Sequence, residues 1–103
     1  MIEVKINICN QRIREMKISG HALYAPHGED LVCAGASSIG TGLLNALDIL
    51  VPNSCKLILK DYILIQVVED SEVVQTILRT GLIQLETISE QYGNYLKVIK
   101  QEV

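Results

Sequence analysis

A histidine and a cysteine lie close enough along the chain to act together in acyl transfer. His21 follows Gly20, and Cys33 comes twelve residues later, near the predicted start of a helix. The thiolate is the reactive form of cysteine, and a neighbouring imidazole can take the thiol proton and return it to a leaving amine. The pair therefore predicts nucleophilic catalysis, with Cys33 as the nucleophile and His21 as its general base.

The predicted helix strengthens this interpretation. If Asp30 is the N-cap, Cys33 is the third helical residue, in a turn whose unpaired amides and positive dipole end favour an anionic sulfur. The amides of Cys33 and Ala34 are then the expected oxyanion donors, since they point toward the same place. Ser37, one turn further, could line the site or simply belong to a face of small residues.

Three alternatives stay open for these residues. Cys33 could be a buried apolar side chain that does no chemistry. Asp30 could orient His21 as a third catalytic residue, although helix capping accounts for it fully. Zinc could bind Cys33, His21, His27 and Asp30, but these residues lack the short spacings of zinc sites, so no metal or other cofactor is expected.

The loop between His21 and the helix is the predicted gate of the site. Pro26, His27 and Gly28 lie in a stretch without hydrophobic periodicity, which indicates an irregular loop. A loop of this kind beside a nucleophile could order when substrate binds. His27 is the rival general base, although exposure to solvent or contact with a bound peptide is favoured over a fixed catalytic position.

Composition limits the class of protein. A chain of 103 residues has room for one domain, residues 1–103, and its core must be aliphatic because Ile, Leu and Val number 36 while Trp and Phe are absent. Nine basic against twelve acidic residues argue against direct nucleic-acid binding. The chain contains no run of eighteen apolar residues and no export signal, and three cysteines cannot form a disulfide framework. We therefore expect a cytoplasmic protein that binds no membrane, in which Cys9 and Cys55 only pack in strands.

Hydrophobic periodicity predicts five strands and two helices. The strands are Ile2 to Ile8, Arg12 to Ser19 with a bulge near Arg14-Glu15, Cys55 to Lys60, Tyr62 to Val68 and Tyr95 to Val103. The helices are Leu31 to Leu50, stopped by Pro52, and a second one that Asp70 or Ser71 caps and Gly93 ends. The order β-β-α-β-β-α-β is typical of an α+β fold with two helices on a mostly antiparallel sheet.

Three glycines interrupt the first predicted helix, at Gly35, Gly40 and Gly42. Each is unfavourable by about 1 kcal/mol relative to alanine in a helix interior. Close packing against a sheet is the favoured explanation. Room for a substrate or partner backbone is the alternative.

The residues around the histidine and cysteine resemble a known signature. Gly20-His21-Ala22, a loop, and then Gly28-x-Asp30-Leu31-Val32-Cys33-Ala34 with Ser37 three residues on are similar to the ribosomal-processing cysteine protease family, Prp. The similarity covers nearly the whole chain in length and in the order of predicted elements. By position, it assigns Cys33 as nucleophile and His21 as general base, while Asp30 matches a motif position whose role stays open.

The resemblance implies a specific activity. It is that of a cysteine endopeptidase that removes a short N-terminal extension from a bacterial large-subunit ribosomal protein, number twenty-seven, during ribosome maturation. The expected partners are this extended precursor and a second copy of the chain in a homodimer. The alternative is a non-catalytic ribosome-assembly or protein-binding module in which Cys33 merely packs.

Overall fold

The protein folds as a five-stranded sheet with two helices, in the order β-β-α-β-β-α-β. This computed structural model describes residues 1–20 and 27–103, with the backbone alone for residues 27–30. The strands are β1 Ile2–Cys9, β2 Arg12–Ser19, β3 Cys55–Leu59, β4 Ile63–Val67 and β5 Leu96–Glu102. The helices are α1 His27–Leu50 and α2 Glu72–Gln91. The predicted fold class and element order are confirmed.

The sheet has the strand order β3-β4-β2-β1-β5. Neighbouring strands pair antiparallel, except that β1 and β5 run parallel with Ile2 opposite Leu96. The buried residues of β1 and β4 alternate along each strand, and with those of β2 they join the buried residues of α1 and α2 in one cluster. Both helices therefore cover the same face of the sheet. The other face of β4 is less buried, since Leu64 and Gln66 are only half-buried.

A bulge in β2 keeps its apolar residues on the core side. The register passes from Asn7 opposite Glu15 to Ile8 opposite Ile13, which leaves Arg14 as the extra residue of β2. The tight turn before it has positive φ angles of 51° and 66° at Asn10 and Gln11, as favoured two-residue hairpins require. The predicted bulge is confirmed, and it explains how Ile13 and Met16 can both be buried.

A buried glutamine ties α2 to this bulged strand. The carboxamide oxygen of Gln75 accepts a hydrogen bond from the Ile13 amide at 2.8 Å, and its nitrogen donates to the Ile13 carbonyl at 2.8 Å. The same nitrogen donates to Asp70 Oδ1 at 2.9 Å. Ser71, one of the two predicted caps, is the N-cap of α2, and its hydroxyl accepts from the Val74 amide. The start of α2 is therefore fixed to β2 by side-chain hydrogen bonds as well as by apolar contact.

Helix α1 begins four residues earlier than predicted, at His27 rather than Leu31. The prediction that Asp30 is the N-cap is therefore wrong, and so is the placement of Cys33 as third helical residue: Cys33 is the seventh. Gly28 suggested a loop, but one glycine is unfavourable by only about 1 kcal/mol, and acidic residue types are favourable in a first turn. The predicted end at Leu50 is confirmed.

The glycines of the helices differ in what surrounds them. A Cβ at Gly40 would lie 2.5 Å from Ile63 Cδ1, and one at Gly35 would lie 3.2 Å from Ile88 Cδ1, so close packing explains both residues. A Cβ at Gly42 would meet nothing within 4 Å. On α2, a Cβ at Gly81 would lie 2.5 to 2.9 Å from three side-chain atoms of Leu43. Gly81 therefore sets how closely α2 approaches α1.

Alanine at Gly81 and at Gly42 should change stability in opposite directions. Gly81→Ala overpacks the contact with Leu43, which costs about 1–3 kcal/mol and outweighs the helix propensity that alanine adds. Gly42→Ala adds the propensity alone and should raise the free energy of unfolding by about 1 kcal/mol. Urea unfolding of both variants measures the difference, and equal stabilities would contradict this account of the helix contact.

Acid should remove a specific ion pair at the start of α2. The Arg12 guanidinium hydrogen-bonds Asp70 and, with help from Gln75 and the Ser71 amide, lowers the pKa of Asp70 from 3.8 to about 2. A lowered folded-state pKa stabilises the protein above about pH 4, and this contribution is lost as the pH falls toward 2.

Asp70→Asn tests this contribution. The variant should be less stable than the wild type by about 1.5–3 kcal/mol at neutral pH, the range for hydrogen bonds to charged groups, and the gap should narrow below about pH 4. Glu72→Gln is the control, because the Glu72 side chain is 87% exposed and its pair with Arg12 contributes little. Urea unfolding across this pH range measures both, and a gap that stays constant down to pH 2 would refute the assignment.

Candidate active site

Cys33 lies on α1 at the edge of the core. Its side chain is half-buried and packs against the apolar cluster that the helices and sheet share. One side of the residue also borders an open cleft of about 300 Å³. The thiol is therefore held by packing and at the same time reaches a space that a ligand could enter.

Three parts of the chain form this cleft besides Ile2. Helix α1 contributes Cys33, Ala36, Ser37 and Thr41, all on its side nearest the cleft. The end of β2 contributes Ile18 and Gly20, and the β3–β4 turn with its flanking residues, 59–63, forms the remaining wall. The site is thus assembled from segments far apart in sequence.

Small residues on α1 make the cleft possible. Gly40 lets the helix backbone approach the sheet closely, since a Cβ there would also lie 3.1 Å from Ile18 Cδ1. The preceding cleft residues on the helix, Cys33, Ala36 and Ser37, are all short. Larger side chains at these positions would fill the space between α1 and the turn at 59–63.

Gly20 brings the end of β2 to the same cleft as Cys33. It has a positive φ of 82°, and a Cβ would lie 2.3 Å from the carbonyl oxygen of Met1. Only glycine suits both constraints, so the backbone leaves β2 in one particular direction. His21 is the next residue in the chain, although it lies outside the described residues, as does Pro26. The pairing of His21 with Cys33 stays a prediction, which the position of Gly20 supports.

The predicted gating loop is partly helical. His27 and Gly28 belong to the first turn of α1, so the prediction that they lie in an irregular loop is wrong. The first turn can form because Gly28 is the only one of residues 27–30 whose helix propensity is markedly poor. Pro26, the third residue assigned to the gate, falls outside the described part of the chain, and the side chains of His27 and Asp30 are not described either.

The longer helix also changes the expected electrostatics of the thiol. Cys33 lies in the second turn, and the influence of the helix dipole falls off within the first. The amides of Cys33 and Ala34 come after the four unpaired amides of the helix start, so they have carbonyl partners one turn back. Neither amide is free to serve as an oxyanion donor while α1 is intact.

Ala34 and Ser37 have different positions relative to the cleft. Ala34 is exposed and does not line it, whereas Ser37 is exposed and does. The Ser37 carbonyl accepts a hydrogen bond from the Thr41 hydroxyl at 2.7 Å. Of the two residues predicted to support catalysis from the helix, only Ser37 lies where its side chain could contact a substrate.

The other two cysteines lie in strands away from the cleft. Both are half-buried and free, as Cys33 is. Burial raises the pKa of the Cys55 thiol, which makes its thiolate scarcer, and the Ser54 hydroxyl lies 3.6 Å from its sulfur. Among residues with described side chains, no three His, Cys, Asp or Glu groups are placed to hold a metal ion. The zinc alternative is untested, because three of its four ligands are not among those residues.

The place of residues 59–63 in the cleft could not be predicted from the sequence. The Lys60-Asp61 turn carried no chemical signal, since a turn with one basic and one acidic residue is ordinary for a hairpin. Its place opposite Cys33 results from the pairing of β4 with β2 and from the packing of α1 on that sheet. Such tertiary proximity leaves no trace in local spacing.

Comparison with known proteins gives consistent matches over nearly the whole chain. The family model for cysteine protease Prp matches residues 1–97. The ribosomal processing cysteine protease Prp of Staphylococcus aureus (strain Mu50) is 30% identical over 103 residues, covering 95% of this chain and 97% of that protein. The protein of the same name from Bacillus subtilis (strain 168) is 31% identical over 107 residues, covering 95% and 96% respectively.

Solved structures agree with these sequence matches. The crystal structure of the ribosomal processing protease Prp from S. aureus in complex with a substrate peptide superposes with a TM-score of 0.89 at 29% identity, covering 98% of this chain and 100% of that one. A protein from Streptococcus mutans has a TM-score of 0.88 at 22% identity, covering 100% and 96%, and it supports the fold alone.

Gly20→Ala should disturb the site through the backbone. Alanine at a positive φ costs about 1–2 kcal/mol, and its Cβ would force the Met1 carbonyl or the end of β2 to move. We expect a lower free energy of unfolding and slower reaction of Cys33 with a substrate, relative to Gly42→Ala as control. Thermal unfolding and cleavage rates measure these effects, and wild-type values for both would contradict the role assigned to Gly20.

Proposed function

Because the chain belongs to the family of ribosomal-processing cysteine proteases called Prp, and is therefore a cysteine protease, we propose that it removes an N-terminal extension from a ribosomal protein. The proposed substrate is the precursor of large-subunit protein twenty-seven, and the proposed product is the mature protein that enters the ribosome. One observation supports the site: Cys33 and Gly20, the residue before His21, line the same cleft.

In the proposed reaction the Cys33 thiolate attacks the carbonyl carbon of the scissile peptide bond. His21 takes the thiol proton and then gives it to the leaving amine as the tetrahedral intermediate collapses. The carbon–nitrogen bond breaks, and the extension stays bound to Cys33 as a thioester. His21 then activates water, which attacks the thioester carbonyl, releases the extension as a carboxylic acid and restores the thiol.

The oxyanion of the intermediate needs hydrogen-bond donors near the sulfur. The Cys33 and Ala34 amides are paired along α1, so we assign this role to side-chain groups rather than to the amides of the helix interior. The Ser37 hydroxyl is one candidate, because Ser37 lines the cleft one turn from Cys33. We propose that Asp30 orients His21. Asp30 lies inside the first turn of α1 rather than before it, so helix capping, the role that competed with orienting His21, no longer accounts for this residue.

The net negative charge of the protein weakly favours binding of a basic substrate. A formal net charge of −3 attracts the strongly basic precursor weakly and does not favour RNA. We propose that the protein works in the cytoplasm, where ribosomal proteins are made, and that it does so as a homodimer.

Removal of the Cys33 thiol should abolish cleavage. Cys33→Ala is expected to leave no turnover of a peptide that spans the junction between extension and mature protein, because no other described thiol borders the cleft. Cys9→Ser and Cys55→Ser are the matched controls and should retain activity within about twofold, as each replaces a half-buried cysteine in a strand. Mass spectrometry of the peptide after incubation measures the outcome.

The same experiment separates the protease from its alternative. Full cleavage by Cys33→Ala would refute Cys33 as nucleophile. A wild-type protein that cleaves neither this peptide nor the extended precursor would instead favour a non-catalytic assembly or binding module.

A further inference from the structure

One face of the sheet lies away from both helices. The buried cluster joins the helices to the other face, and on this one the strand residues that alternate with the buried positions are half-buried or exposed throughout the described part of the chain. We call these residues the open face. A ligand can reach them without any rearrangement of the described elements.

The open face is more basic than the protein as a whole. Arg12 and Arg14 are held at Asp70, at the start of α2. Its other charged residues, within the described ranges, are four lysines and two glutamates: Lys5, Lys17, Lys56, Lys97, Glu3 and Glu15. The whole chain has nine basic and twelve acidic residues, so its net charge conceals a local excess of positive charge on this face.

Two of these lysines lie side by side at the centre of the sheet. Lys5 on β1 is directly opposite Lys17 on β2, and like charges at such positions are unfavourable. The Glu15 carboxylate does not pair with them, because Asn7 Nδ2 donates to one of its oxygens at 2.9 Å and Gln66 Nε2 donates to the other at 2.7 Å. The described ion pairs of the protein involve other residues. The two ammonium groups are therefore left for an anion from outside.

Apolar side chains flank the lysine pair along the same row. The register places Leu64 next to Lys17 and Ile99 next to Lys5, and Ile58 follows Leu64. All three apolar residues are half-buried. The row thus combines positive charge at its centre with apolar contact on both sides, which suits a ligand that carries both anionic groups and flat rings.

We propose that the open face binds single-stranded RNA, with phosphates at Lys5 and Lys17 and bases on the apolar residues beside them. Lys56 on β3 and Lys97 on β5 stand on the two edge strands, about 19 Å apart, and extend the contact to further phosphates. Single strands bind in this way to surfaces where cations follow the backbone and side chains contact the rings of the bases.

An aromatic ring beside the lysine pair favours RNA over other anionic partners. The Lys17 ammonium lies 4.9 Å from the centre of the Tyr62 ring, so the ring is held where a base can stack. An acidic peptide would match the lysines but would make no use of this ring. A second copy of the chain docked through the same face would bring lysines against lysines, which charge disfavours.

Fluorescence anisotropy with a labelled oligouridylate of about twelve nucleotides tests the proposal. The wild type should bind saturably at low salt, and the affinity should fall with added salt, with a logarithmic slope of about −3 for four lysines at phosphates. Lys5→Gln/Lys17→Gln should weaken binding by at least about tenfold and reduce the slope by about half. Its melting temperature should not fall, because the substitution removes two opposed like charges.

The matched control is Arg79→Gln/Lys100→Gln, which lowers the net charge equally on the helical side of the protein. Arg79 belongs to α2, and Lys100 pairs with Glu86 of α2 at 3.1 Å. This variant should keep the affinity within about twofold, since exposed pairs contribute little. Glu3→Gln, which removes a negative charge opposite Lys97, should strengthen binding instead.

Equal affinities of the double lysine variant and the helical-side control would overturn the proposal, and so would the absence of saturable binding at low salt. A glutamate polymer of the same charge is the competing ligand. If it binds as tightly as the RNA, the open face recognises an acidic protein and the proposal fails. Binding is measured without cleavage, so these outcomes are independent of the proposed protease activity.

Discussion

The carboxamide of Gln75 holds the two layers of the molecule in register. It pairs with both the amide and the carbonyl of Ile13, at the point where the bulge has interrupted the regular ladder of β2, and it is only 5% exposed. A buried backbone group without a partner costs about 1–3 kcal/mol, so this one side chain stabilises a strand conformation that the ladder alone would not. Asp70 and Arg12 surround it and fix the same end of α2.

The position of the candidate site follows from this arrangement. β2 is the middle strand of the sheet, and it runs from the Gln75 contact to Gly20 at the cleft. Gly81 lets α2 approach α1 closely at Leu43, and small residues of α1 line the cleft together with the β3–β4 turn. Packing in three separate places therefore positions the Cys33 thiol, the strand that leads to His21 and the wall formed by residues 59–63. No single local motif positions them.

The parts of the fold that local physics controls were predictable from sequence. β2 was predicted over its full extent, because alternation and a turn on each side define it, and the bulge followed from apolar residues that were out of phase. Ser71 was one of two predicted caps, since its hydroxyl can accept from an amide of the first turn. The predicted start of α1 was wrong. Asp30 suited an N-cap and Gly28 suited a loop, whereas the helix includes both residues.

Cys33 could be predicted as a candidate from sequence, and the residues that surround it in the cleft could not. Cys33 could be singled out because its type and its distance from His21 suggest chemistry. The wall formed by residues 59–63 could not, because its place in the cleft depends on which strand pairs with which and on how closely α1 packs. Spacing along the chain can indicate a pair of reactive residue types, whereas the apolar lining of a cleft is set only when the fold brings distant segments together.

The parallel pairing of β1 with β5 holds Ile2, a residue that lines the cleft, against the start of the last strand. The Ile2 amide donates to the Tyr95 carbonyl at 2.8 Å, and Ile2 itself lines the cleft beside Gly20. This contact closes a loop of almost the entire chain, which is the slowest kind of pairing to form. During synthesis, Ile2 has no hydrogen-bonding partner on that side until the last strand has emerged. A growing chain thus carries Cys33 and every described residue that lines the cleft before the strand that holds Ile2 on its other side has been made.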